Sequence, residues 1–370
     1  MVCLLLLSSS TEGGEEQLLN YCKRPTPLQS QEITLHPDAC GKCHKYQYSD
    51  WKGSLHSRAV GPGLLGQLSP DNDPEFAASC YFCHAPMMEQ SEVKTGARSK
   101  GQGASNYIKN QSFDNRLKLS GVSCSVCHLR EGKIYGPPKR VRSRETGVGR
   151  KDQDSHGGFI ENDFFEDAEF CAACHQLDEG YELNGKLLTN TYREWKESIY
   201  GQGNVTCQMC HMPDRRHLFR GIHDPEMVKS GIAIEASRSG NKARLVISNT
   251  GVGHFFPTYV TPQVVVRGFV KDAGGKAVRS SVKEAFIGRK VSTDLGEEFF
   301  DTRIAPGKRF DFDYSMPVKG GKAVFEVWVY PDEFYNRLYK ALLRKNNNRE
   351  LKKALKTTGE SGYLLFRTEL

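Results

Sequence analysis

One five-residue pattern, Cys-x-x-Cys-His, dominates this chain and occurs five times: Cys40, Cys43 and His44; Cys80, Cys83 and His84; Cys124, Cys127 and His128; Cys171, Cys174 and His175; Cys207, Cys210 and His211. Ten of the twelve cysteines are used this way, and a His follows every pair at once. The pattern is the attachment signature of c-type haem, in which both thiols form thioethers to the porphyrin and the adjacent His ligates the iron. The chain is therefore expected to carry five covalently attached haem c groups.

Other uses of the motif fit poorly. Structural zinc takes two Cys-x-x-Cys pairs per metal, or one pair with a later spaced pair of His, and has no use for a His directly after the second Cys. Five pairs also cannot be divided evenly into four-thiolate sites. A thioredoxin-like redox pair needs a βαβ setting and occurs once, and a disulfide framework does not fix the fifth residue as His.

At 370 residues the chain is long enough for two domains. With 26% charged residues and no apolar run of membrane-spanning length it reads as soluble, with no transmembrane span. The formal charge of +7 is that of the protein alone. Each haem adds its propionates, so that charge does not support a nucleic-acid partner. Covalent c-haem attachment is normally completed outside the cytoplasmic membrane, so a periplasmic or extracellular location is expected. The run Val2-Cys3-Leu4-Leu5-Leu6-Leu7 before Ser8-Ser9-Ser10 looks like a signal-peptide remnant without a basic start, as a truncated or misassigned N-terminus would give. The two remaining cysteines, Cys3 and Cys22, carry no expected function.

Six histidines lie outside the motifs: His36, His56, His156, His217, His223 and His254. Five haems need at most five distal ligands, which allows bis-His ligation throughout with one spare. His36 is taken as that spare, or as a ligand reaching a second subunit; His56, His156, His217, His223 and His254 are the distal candidates. Residues 45–59 have loosely helical spacing. If that helix is continuous, His56 stands about 18 Å along it from His44, so His56 is expected to serve a haem other than the first. Residues 60–79 read as loop. Met87 and Met88 follow the second motif and are read as packing against the porphyrin. The basic stretch with Lys139, Arg140, Arg142, Arg144 and Arg150 reads as a solvated loop, with propionates or an acidic redox partner as its functional alternative.

Near Pro225 the character changes to alternating β-branched and aromatic runs separated by Gly and Pro turns, the pattern of an antiparallel sandwich of roughly seven strands. The expected class is α + β in two domains. A possible signal remnant occupies residues 1–30, a mostly irregular and helical pentahaem domain 31–225, a β-sandwich 226–335 and a helical tail 336–370. His254, the one His of the β region, is expected to be a distal ligand inserted from the sandwich.

The first motif with Tyr48, Trp51, Ser54, His56 and Ala59 resembles the opening of the cytochrome c-554 family, related to the haem cores of hydroxylamine oxidoreductase and pentahaem nitrite reductase. The order of motifs extends the resemblance over roughly residues 36–180. It implies closely spaced haem pairs and electron transfer between redox proteins. An enzyme acting on a small nitrogen or sulfur compound at one five-coordinate haem is the alternative, although the nitrite reductase pattern has Lys where all five motifs here have His. A homo-oligomer or an extracellular haem filament is the third reading.

Overall fold

The computed structural model describes residues 34–68, 74–95, 107–130, 132–140, 158–272, 274–317 and 321–370. The segment 1–30, Cys3, Cys22, His156, Arg142, Arg144 and Arg150 lie outside the described residues. The chain divides into two compact units. One runs through Cys174 and takes in Thr206–Phe219; the other combines His175–Val205 with Arg220–Leu370.

Short helices carry the motifs. In chain order, α2 (Pro74–His84), α3 (Cys124–His128), α4 (Glu169–His175) and α6 (Cys207–His211) hold the second to fifth motifs, while α1 (Lys45–Gly53) follows the first motif and α5 (Thr191–Lys196) lies between the fourth and the fifth. Residues three apart share a helix face, so the two cysteines of each helical motif project from one side of a single turn. The first motif closes the same turn by the bond from His44 N–H to Cys40 O, at 2.9 Å.

The second unit is built on eight strands: β1 (Ile232–Ser239), β2 (Lys242–Asn249), β3 (Gln263–Lys271), β4 (Lys283–Val291), β5 (Glu298–Asp301), β6 (Arg309–Ser315), β7 (Lys322–Tyr330) and β8 (Tyr363–Glu369). They form an antiparallel five-stranded sheet, ordered β5-β4-β3-β7-β8, and an antiparallel three-stranded sheet, ordered β6-β2-β1. Alternate residues of each strand face inward. Leu245 and Ile247 of β2 and Phe312 of β6 thus share one core with Val264 of β3 and Phe325 and Val327 of β7. Phe325 is fully buried and meets Phe312 and Tyr314 edge-on, at 5.9 and 6.0 Å between ring centroids, an arrangement that aromatic quadrupoles favour. Helices α7 (Glu333–Leu343) and α8 (Arg349–Glu360) bury Phe334, Leu338 and Leu351 in a second cluster with Val291.

A buried ionic network anchors the hairpin Glu182–Leu183 and Lys186–Leu187 to this sheet. Arg289, with no exposed side-chain surface, pairs with Glu298 at 2.7 Å and donates to the carbonyls of Leu183, Lys186 and Leu187. Lys186 reaches Glu298 and Asp301 at 2.7 and 2.8 Å. Burial would raise the Asp301 carboxyl, but Arg303 and Lys186 outweigh it and hold the group well below the usual carboxylate range.

Four sequence-based expectations need correction. The helix expected over 45–59 stops at Gly53, where Ser54 turns extended and its hydroxyl donates to Trp51 O at 2.6 Å; a helix rise therefore does not separate His44 from His56. The loop expected over 60–79 holds a helix at Pro62–Gln67 and the start of α2 at Pro74, because Pro suits a first helical turn. The tail expected to be helical to residue 370 ends in β8, which pairs with β7 across a bulge between Val327 and Trp328. Finally, the boundary expected at 225 is not a single cut, since His175–Val205 pack with the sandwich residues.

Candidate haem sites

Three of the motif histidines, His84, His128 and His175, can be read from what their ring nitrogens touch. A carbonyl oxygen only accepts, so a ring nitrogen bonded to one carries the proton, and the neutral ring then offers its lone pair at the other nitrogen. His84 donates from Nδ1 to Ala59 O and His128 from Nδ1 to Tyr135 O, both at 2.8 Å. Both rings therefore present Nε2 as the ligating nitrogen. Burial drives their pKa values down to about 4, so they are neutral near pH 7, as metal ligation requires. His175 differs, with Nδ1 hydrogen-bonded to the hydroxyl of Tyr259, a residue at φ +67°. Nothing in the sequence around Tyr259 marks it for this contact.

The candidate distal residues fall into two classes. His217 and His254 donate from Nδ1 to Arg215 O and Phe255 O at 3.0 and 2.9 Å, which puts the lone pair of the neutral ring on Nε2. His217 stands 6.2 Å from His128 between ring centroids. His56 is half-buried, with its pKa lowered to about 4 chiefly by desolvation and further by the charges of His211 and His84, and its ring lies 4.4 Å from that of Phe219. His36 and His223 instead donate from Nε2 to carboxylates, Asp114 at 2.9 Å and Asp332 at 3.0 Å. The Nδ1 of His36 is buried with no hydrogen-bond partner. Met87 is 1% exposed and packs with Leu117 and Val126. Arg140 of the basic stretch faces Asp214 at 3.6 Å.

Motifs also approach one another within the first unit. The thiols of Cys40 and Cys124, of Cys171 and Cys207, and of Cys83 and Cys174 lie close enough to perturb one another's ionisation. First and third motifs are thereby neighbours, as are fourth and fifth, and second and fourth. Cysteine pairs on single helical turns, imidazoles fixed in one tautomer and an orphaned buried nitrogen on His36 fit covalently held haem, while Cys80, expected as a haem thioether, departs from that expectation in being disulfide-bonded here.

Two of these regions are built on one plan. Helix α1 carries Tyr48-Ser49-Asp50-Trp51-Lys52-Gly53-Ser54, and α5 with its continuation carries Tyr192-Arg193-Glu194-Trp195-Lys196-Glu197-Ser198. The Tyr and Trp rings of the two copies lie 5.8 and 5.6 Å apart, and Lys52 and Lys196 sit over the Tyr rings at 5.4 and 5.8 Å. Ser54 and Ser198 donate to the Trp carbonyls at 2.6 and 2.7 Å. Trp51 Nε1 donates to Val122 O at 2.7 Å and Trp195 Nε1 to Val205 O at 2.8 Å. Val122 and Val205 in turn donate their N–H groups to the carbonyls of His56 and Tyr200, both at 2.9 Å. The residues before those valines, Gly121 and Asn204, share a left-handed backbone, φ +59° and +57°, which Gly and Asn tolerate best. Each valine leads two residues later into a motif, Cys124 or Cys207. The recurrence Tyr-x-acid-Trp-Lys-x-Ser is the sequence signal by which the duplication can be found.

Comparison with known proteins places this architecture. Residues 39–129 match the family described as Cytochrome c554 and c-prime, a shorter stretch than the resemblance over 36–180. Cytochrome c-552 of Aliarcobacter butzleri is 20% identical over 201 residues, which are 54% of this chain. The chain spans 39% of the length of that curated relative. The crystal structure of a penta-heme cytochrome c552 from Thermochromatium tepidum shares the fold with a TM-score of 0.62 at 18% identity, over 92% of this chain and 98% of that one. Among the described residues no helix is long and apolar enough to cross a membrane. Residues 39–129 are thus similar to the Cytochrome c554 and c-prime family, and the chain shares the fold of a penta-heme cytochrome c552.

Proposed function

We propose that the chain is an exported pentahaem cytochrome that passes single electrons between redox proteins outside the cytoplasmic membrane. The observation that carries this reading is the fixed tautomer of the histidines. His84, His128, His217 and His254 all spend Nδ1 on a carbonyl oxygen, which leaves Nε2 as the ligating nitrogen in each. Haem supplies the one-electron couple, and the protein sets ligand identity, burial and spacing. Iron held between two histidines keeps no open position for a substrate, so the chemistry left to it is electron transfer. The contacts between motif cysteines support closely spaced haems, and the five haems named for the structural relative support the count.

In this reading His56 and His156 are distal ligands, as are His217 and His254 through Nε2. His36 is the fifth, through its buried, unpartnered Nδ1. The spare histidine is then His223, whose Nε2–H is held by Asp332, and not His36. Intact mass and pyridine haemochrome absorbance of the exported protein test the cofactor count: five haems per chain are expected, and four or fewer would overturn the pentahaem reading.

A further inference from the structure

The acid that precedes the Trp in each copy has an unusual pair of partners. Asp50 accepts from Arg216 through both carboxylate oxygens, at 2.6 Å each, and also from the backbone N–H of His217 at 3.2 Å. Glu194 pairs with Arg303 at 3.1 Å and accepts from the backbone N–H of Phe255, also at 3.1 Å. Phe255 follows His254 directly. Each acid therefore combines one arginine with one main-chain donor, and in both cases that donor belongs to a segment carrying a candidate distal histidine. The glutamate, longer by one methylene, takes its bond one residue beyond the histidine.

The two arrangements share no sequence downstream. His217 follows the fifth motif closely, whereas His254 lies between β2 and β3. What they share is the helix with its acid and its Trp anchor. The acid side chains of Asp50 and Glu194 are 7% and 5% exposed, so their bonds are little weakened by water, and charge-assisted bonds of this kind are the stronger class. In both segments the histidine ring is then fixed by its own Nδ1 bond to a carbonyl within two residues. Backbone anchorage by the acid and ring orientation by the carbonyl together leave the imidazole little freedom.

We propose that Asp50 and Glu194 are positioning residues that perform one task twice, each clamping the segment that presents a distal histidine, His217 in the first copy and His254 in the second. The inference rests on the ligand reading above. Neither acid touches a haem ligand nitrogen; each acts through the main chain. Two separate ligand-bearing segments have been captured by duplicates of a single helical device.

The test uses the full-length holoprotein, with electron paramagnetic resonance of the ferric state and a potentiometric titration as readouts. His217→Ala and His254→Ala are each expected to convert one haem, a different one in each case, from low to high spin. Asp50→Ala is expected to shift or broaden the low-spin signal and the midpoint of the His217 haem alone, and Glu194→Ala those of the His254 haem alone. Asp50→Asn and Glu194→Gln, which keep an oxygen for the backbone N–H, are expected to restore part of each signal. Haem content and circular dichroism identify any variant that has failed to fold, in which case the Asn and Gln variants carry the test through the shift in midpoint. If the histidine variants give high-spin haem but the acid variants change nothing, the clamp is overturned and ligation stands. If the histidine variants leave every haem low-spin, the ligand reading falls and the clamp with it. An acid variant that disturbs the wrong haem would also overturn the proposal.

Discussion

The copies on α1 and α5 are alike in their anchors and unlike in what they deliver. Trp and Ser match down to the individual hydrogen bond and Tyr and Lys in their ring contacts, and both copies lead through a valine into a haem motif. Five residues after the Trp, however, the first copy has His56 and the second Tyr200. His56 lies half-buried beside Phe219, with His211 and His84 close enough to depress its pKa. Tyr200 instead donates its hydroxyl to Thr250 O at 2.6 Å and packs beside Gly253. The scaffold is thus separable from the ligand: one copy presents a histidine from its own chain continuation, while the other uses the same position to secure the loop that carries His254. The acids differ as well. Arg216 holds Asp50 below the usual carboxylate range, whereas burial pushes Glu194 up in spite of Arg303.

The comparison can be broken most sharply at the position where the copies diverge. His56→Ala is expected to disturb a haem other than the first and to turn it high-spin, whereas Tyr200→Phe should leave every haem spectrum unchanged and cost about 0.5–1.5 kcal/mol of stability through one lost hydrogen bond. Electron paramagnetic resonance and thermal unfolding of the two variants decide this; a spectral change in Tyr200→Phe would mean that the second copy also acts directly on a haem. At the shared anchors both copies should lose stability, in the order of their burial. Trp51→Ala is expected to cost about 3–5 kcal/mol, and Trp195→Ala less, because Trp51 is buried and Trp195 only half-buried. Denaturant unfolding checks the order, and insensitivity of either site would show that the two anchors are not equivalent. The smallest effect is expected for Trp195→Phe, which keeps the ring and loses only the bond to Val205 O.

What was legible in the sequence follows from the range over which each constraint acts. Thioether attachment needs two cysteines and a histidine on one helical turn, so all five motifs can be read from adjacent letters. The β region is legible for a similar reason, because one buried face per strand imposes alternation on Leu245 and Ile247 or Phe312 and Tyr314. Strand β8 was missed because it follows two helices directly and derives its identity from pairing with β7, some distance back in the chain. Ligand roles are less local still. His36 and His223 look like the other histidines in sequence, and only the carboxylates of Asp114 and Asp332 reveal that their Nε2 atoms are engaged. The duplication was obscured because the second motif is inserted after the first copy's helix, the hairpin at 182–187 lies before the second copy's helix, and the histidine itself has been replaced. The buried network around Arg289 likewise joins residues that no local pattern connects.

Carbon monoxide binding to the fully reduced protein tests the central claim most directly. Iron held by two histidines has no vacant position for the gas, so the Soret and visible bands are expected to stay unchanged on exposure. A shift accounting for one haem would contradict the bis-His electron-carrier account and point to an open iron at which a small substrate can react.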